Sequence, residues 1–176
     1  MDFVKSLETI AGFLDDEGCR YALIGGLALA AYGHPRATLD LDLVVERDDQ
    51  DRIVHFMESL GFNTMHRSKG YSNHSHSNPE MGRVDFVFIH GRTSEQLFDA
   101  AADVEGPGGR MVPVPKAEHL VAMKVLAMKN DPARSFQEMA DIRSLMIQPG
   151  VEPEVVRRYF QKHDLEERYD ELETTL

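Results

Sequence analysis

Leu23-Ile24-Gly25-Gly26-Leu27, followed by Arg36-Ala37-Thr38-Leu39-Asp40-Leu41-Asp42-Leu43-Val44-Val45, decides the fold of this chain. An apolar strand from Arg20 to Ile24 runs into a Gly-Gly turn, and a short Ala/Leu-rich helix follows, ending at Gly33 with Pro35 beyond it. Thr38 to Glu46 then alternates. Leu39, Leu41 and Leu43 point one way, while Thr38, Asp40, Asp42 and Val44 point the other. The carboxylates of Asp40 and Asp42 therefore project from one face. Two such neighbours repel, and one is driven toward protonation unless a cation sits with them. An oxygen-preferring divalent ion relieves this, magnesium first among them. The glycine turn is small enough for backbone N–H groups to approach a phosphate, although a ligand-free tight turn uses the same residues. Asp49-Gln50-Asp51 repeats the acidic spacing and reads as helix N-terminal charge, so position rather than spacing carries the argument.

Working outward, residues 2–17 form an amphipathic helix with Phe3, Leu7, Ile10 and Leu14 on one face, stopped by Gly18. Asp48 or Asp49 caps a helix running to about Leu60, closed by Gly61. Residues 62–80 read as a weak strand and a polar loop. Arg83 to Ile89 is a strand with Asp85 embedded between Val84 and Phe86, and Ser94 to Ala102 is a short helix. Gly106-Pro107-Gly108-Gly109 turns between two edge strands ending near Pro113 and Pro115. After that only helices follow, at about 117–130, 134–147, 152–163 and 165–174. The order predicts an α+β core over residues 1–115, with a small mixed sheet flanked by helices, and a helical C-terminal subdomain over 116–176. If the Asp85 strand pairs beside the Asp40 strand, three acids meet and two metal ions about 3.5–4 Å apart can be held.

Composition bounds the rest. The net charge of −11 argues against whole-surface attraction to nucleic acid. A local basic segment carrying Lys116, Lys124, Lys129 and Arg134 keeps a polynucleotide substrate open. The acidic run Glu166 to Glu173 reads as a solvated helix face. No uncharged apolar run is long enough for a membrane span, and no secretory signal opens the chain. Cys19 is the sole cysteine, which excludes an internal disulfide and suits the cytoplasm.

The pattern Gly25-Gly26, Asp40-Leu41-Asp42, then Asp85 on a later strand resembles the DNA polymerase β-like nucleotidyltransferase superfamily. Within it the chain looks most like the AbiEii/MenT-type nucleotidyltransferases, the toxin components of some toxin–antitoxin pairs. Arg36 and Thr38 stand before the acids as in that group. Lys124, in His119-Leu120-Val121-Ala122-Met123-Lys124, resembles its lysine motif, and Gln137-Glu138-Met139-Ala140-Asp141 its later aspartate motif. The resemblance implies that Asp40 and Asp42 bind magnesium, and that Asp85 binds metal or takes a proton from the attacking group. It implies a nucleoside triphosphate as donor and an acceptor hydroxyl on a tRNA, a protein or a small molecule, and it opens the possibility of an antitoxin partner. Lincosamide- and aminoglycoside-modifying enzymes share the motif block, and a non-catalytic binding module is the reading from another class.

The remaining candidates are individual side chains. Lys124, inside an apolar helix, is a phosphate contact or a stem packed on the core. Asp141 pairs with it across antiparallel helices or stabilises its own helix, and Arg36 clamps phosphate or bridges to a site acid. His74 and His76 lack accompanying cysteines and fall in a Ser/Asn-rich stretch, which reads as an exposed loop rather than a zinc site.

Overall fold

The computed structural model describes residues 1–175 and divides into two compact units, Met1–Pro115 and a second that begins at Lys116. In the first unit, helix α1 spans Phe3–Asp16, opened by the Asp2 side chain accepting from the Lys5 amide. Its Leu7, Ile10 and Leu14 are fully buried. Each contributes on the order of 1.5–3 kcal/mol relative to exposure. Strand β1 is Tyr21–Leu23, helix α2 is Gly25–Ala31, and strand β2 is Asp40–Glu46. Helix α3 covers Gln50–Ser59, strands β3, β4 and β5 cover Asn63–Arg67, Tyr71–Ser75 and Arg83–Ile89, and helix α4 covers Gly91–Asp99. Strands β6, Ala102–Glu105, and β7, Met111–Val114, pair as a separate two-stranded sheet across the turn at Pro107–Gly109.

The main sheet has five strands in the order β1-β2-β5-β4-β3 and is mixed: β2 and β5 run parallel, the other pairs antiparallel. Leu41, Leu43, Val84 and Phe86 are fully buried on one face, joined there by His74 and Ser72 of β4. The other face carries the acids. Val44 and Val45 are both buried, so the sheet is covered on both sides at that level.

Four expectations change. Leu39 does not share the buried face of Leu41 and Leu43; it lies before the strand and is 83% exposed. Neither Asp48 nor Asp49 caps α3 with its side chain, because residues Arg47–Asp49 form a 3-10 turn and the Asp49 carboxylate pairs with Arg52 instead. Helix α4 starts three residues early, where Gly91 takes a left-handed turn out of β5 (φ +61), and Ala102 belongs to β6. The polar loop of residues 62–80 is instead largely the β3–β4 hairpin. Its buried Ser72, Asn73 and His74 hydrogen-bond within the sheet, and His74 is fully buried. His74 Nε2 lies 2.9 Å from Ser72 Oγ and its Nδ1 3.3 Å from Thr64 Oγ1, with the ring edge-on to Phe86. His76 bonds the Leu60 carbonyl and accepts from the Asn78 amide.

The second unit is helical: α5 Ala117–Asn130, α6 Ser135–Met146, α7 Pro153–Lys162 and α8 Glu166–Glu173. Pro132, Pro149-Gly150 and Asp164 separate them, Asp164 with φ +57. The acidic run is more than a solvated face. Arg157 of α7 reaches Glu173, Asp170 and Glu166 of α8 at 3.2, 3.6 and 3.9 Å, and its guanidinium stacks over the Tyr169 ring. Among the described residues no helix is long and apolar enough to cross a membrane.

Candidate active site

Parallel, in-register pairing of β2 with β5 assembles the acidic site. Asp40 stands beside Arg83, and Asp42 beside Asp85. Cross-strand partners share a face, so Asp40, Asp42 and Asp85 project from the same side of the sheet. On the next strand Asn73 stands beside Asp85, and Ser75 beside Arg83.

The glycine corner meets Asp42. Ile24 donates its N–H to the Asp42 carbonyl at 3.0 Å, which lays the end of β1 along β2. Gly25 has φ +65, and a Cβ there would sit 2.0 Å from Asp42 Oδ2. A Cβ on Gly26 would sit 2.8 Å from Thr38 Cβ. Both glycines are thus required by close approach of α2 to the acid-bearing segment. Thr38 Oγ1 in turn donates to the Asp40 carbonyl at 3.3 Å.

Asp85 is 8% exposed and held from the opposite side. Tyr71 Oη donates to its Oδ2 at 2.6 Å, and Asn73 Nδ2 donates to its Oδ1. Arg83 forks onto it, with Nε to Oδ1 at 3.2 Å and a terminal nitrogen to Oδ2 at 3.0 Å. The same Nε lies 3.9 Å from Asp40 Oδ2. Hydrogen bonding to Asp85 holds the Arg83 guanidinium above its ordinary pKa. Burial, then the bond to Asp85, pushes the Tyr71 phenol up to about 12, so it stays a donor. Among the described residues no three His, Cys, Asp or Glu side chains are arranged as a metal cage. Asp85 lies beside Asp42 in register, and its oxygens accept from Arg83, Tyr71 and Asn73. Asp40 and Asp42, both partly exposed hard oxygen donors, do suit one magnesium-like ion.

Arg36 is partly exposed and donates to the Ala37 carbonyl at 3.2 Å. Lys124 and Asp141 meet within the helical unit, where the buried Lys124 Nζ lies 2.5 Å from Asp141 Oδ2 and 3.1 Å from Glu138 Oε2. Glu138 also takes Arg134 at 2.6 Å. Lys116 pairs with Glu118 and Lys129 with Asp164, so every cation named in the basic segment has an acidic partner. Arg83, Tyr71 and Asn73 escaped the sequence reading. An Arg two residues before Asp85 on a strand was the available signal, since i and i+2 share a face.

Residues 2–169 match the family model described as uncharacterised nucleotidyltransferase. The chain belongs to that family. This nucleotidyltransferase also matches solved structures over most of its length. The solution structure of the antibiotic-resistance factor ANT(2″)-Ia aligns with a TM-score of 0.71 at 17% identity, covering 99% of this chain and 98% of that one. A putative nucleotidyltransferase from Thermotoga maritima gives 0.56 at 14%, covering 79% and 92%. The lincosamide antibiotic adenylyltransferase LnuA, bound to lincomycin, gives 0.54 at 16%, covering 81% and 96%. At these identities the likeness is one of fold. No curated protein sequence matches the chain.

Proposed function

We propose that this nucleotidyltransferase moves a nucleoside monophosphate from a nucleoside triphosphate to an acceptor hydroxyl, using a divalent cation at Asp40 and Asp42. The observation that carries the reading is the shared face of Asp40, Asp42 and Asp85 on the paired strands, beside the Gly25 corner. When bound, magnesium would offset triphosphate charge and favour departure of pyrophosphate. Asp40 and Asp42 hold it; the Gly25-Gly26 backbone and Arg36 receive the phosphates. Asp85, oriented by Tyr71 and Asn73, takes the proton of the attacking hydroxyl. Positioning and charge neutralisation supply the rate. The reaction belongs in the cytoplasm, where burial keeps Cys19 a thiol with its pKa raised to about 11.

For the acceptor we favour a small molecule. The cations that would have attracted a polynucleotide are paired with acids, and both units are net negative. The nearly full-length likeness to ANT(2″)-Ia, a protein also crystallised with adenylyl-2″-tobramycin, supports the same reading. The test is magnesium-dependent pyrophosphate release from each triphosphate with pooled hydroxyl acceptors, followed by tracing label from the nucleotide into small-molecule, RNA and protein fractions of cell extract. Label in a small molecule, lost in Asp42→Ala, is expected; triphosphate binding without turnover would indicate a binding module instead. The toxin reading, with an antitoxin partner, predicts growth arrest on expression that Asp42→Ala abolishes. Harmless expression of the wild type counts against it.

A further inference from the structure

We infer that Arg83 is the second cation of this site: the chain holds one divalent ion, at Asp40 and Asp42, and the Arg83 guanidinium stands beside Asp85 and Asp40 in place of another. The inference rests on the nucleotidyl-transfer reading above and changes its expected metal count from two to one.

Three observations lead there. An ionised carboxylate has about four lone-pair sites. Those of Asp85 accept from four donors: Arg83 twice, Tyr71 and Asn73. No site remains for a metal unless one of these leaves. Next, the Arg83 Nε that bonds Asp85 lies 3.9 Å from Asp40 Oδ2, so one permanent positive charge already spans the two carboxylates that a shared metal would bridge. Arg keeps that charge at any pH the protein survives, and its planar fork matches a carboxylate. Last, the two neighbouring acids are drawn to opposite sides. Asp42 Oδ2 lies against Gly25 at the end of β1, while Asp85 is tied to Tyr71 and Asn73 of β4. The sheet order places these on opposite flanks of the β2–β5 pair. The divalent ion belongs on the first flank and the guanidinium on the second.

This division leaves Asp85 unligated by metal, and it takes the hydroxyl proton when the incoming hydroxyl displaces one of its four donors. Arg83 is a positioning residue in that step, acting through Asp85.

The test counts bound Mn2+ by electron paramagnetic resonance on the full chain with one equivalent of a non-hydrolysable triphosphate analogue, whose binding is followed by calorimetry. Wild type is expected to plateau at one ion per chain. Arg83→Met, by freeing two acceptor sites on Asp85, is expected to gain a second, and Arg83→Lys to remain at one. Asp85→Asn in the wild-type background is expected to leave the count at one, which keeps the test decisive if the Arg83 variants fail to fold. Two ions in wild type, or a lower count in Asp85→Asn, overturns the inference while leaving nucleotidyl transfer standing. So does an unchanged count in a folded Arg83→Met that binds the analogue. Absence of analogue binding in wild type defeats the nucleotide reading itself, and the Arg83 inference with it.

Discussion

Gly25→Ala separates the demands made on the glycine corner. Gly25 and Gly18 have almost the same backbone conformation, φ +65 and +66, but different surroundings. A Cβ on Gly18 meets nothing within 4 Å, whereas one on Gly25 falls 2.0 Å from Asp42 Oδ2. Both alanines pay the left-handed backbone cost of about 1–2 kcal/mol. In a chain of this size that lowers Tm by roughly 2–8 °C. Only Gly25→Ala adds a collision. Ordinary contact begins at 3.4 Å, so the Asp42 oxygen must retreat by about 1.4 Å, the difference between 3.4 and 2.0. A displacement near 1 Å at a reacting centre costs about 10²-fold in rate. Pyrophosphate release, measured at a temperature where both variants are folded, is therefore expected to fall about 10²-fold in Gly25→Ala and to stay near wild type in Gly18→Ala. The reasoning fails if the two variants have similar activity, since backbone strain would then be the whole requirement for glycine at position 25.

Two further substitutions test the scaffold. Burial lowers the pKa of the His74 ring, so the folded state binds fewer protons than the unfolded chain. Its contribution is present above about pH 6.5 and lost as the pH falls through the lowered folded value. Urea unfolding from pH 7.5 to 5 should show that loss, and His74→Gln should flatten it in part, because His119 and His163 are shifted in the same direction by burial; an unchanged slope would remove His74 from the account. Lys124→Met leaves Glu138 and Asp141 buried without their shared cation and is expected to destabilise by about 3–5 kcal/mol. Adding Glu138→Gln and Asp141→Asn should recover much of that loss in chemical denaturation, and a triple variant no more stable than the single one would refute the charge argument.

Legibility followed the kind of signal each element offers. The four helices of the second unit carry apolar residues interrupted by Pro132, Pro149-Gly150 and Asp164, and those interruptions lie where the helices stop. Strands β2 and β5 announce themselves by Leu, Val and Phe around their acids. Strand β4 does not. Tyr-Ser-Asn-His-Ser has loop composition, and it becomes a strand because neighbouring strands supply partners that composition cannot reveal: Thr64 for His74, Asp85 for Asn73 and Tyr71. The Asp85 environment was hidden for the same reason. Once β4 reads as loop, Tyr71 and Asn73 have no defined place, and Asp85 looks available to metal. The glycines were legible as required, but not the neighbours that demand them: a Cβ at either position would collide with Asp42 or Thr38.

The paired strands set Asp-x-Asp beside Arg-x-Asp, which places Asp42 directly opposite Asp85. Like charges facing each other across strands are destabilising, and a one-residue slip would bury the acids on the core face. Arg83 offsets part of this repulsion; it is aligned with Asp40 and forks onto Asp85. The facing pair of Asp42 and Asp85 still sets charge beside charge, at some expense to the fold. Asp42→Asn preserves the shape and removes that charge, so it should stabilise the metal-free protein by about 0.2–1 kcal/mol. Thermal unfolding in chelator should show the variant above wild type, while magnesium raises wild type and leaves the variant unmoved. If Asp42→Asn melts lower than wild type in chelator, the carboxylate is contributing to the fold by its own contacts, and the charge array is not stored for a cation.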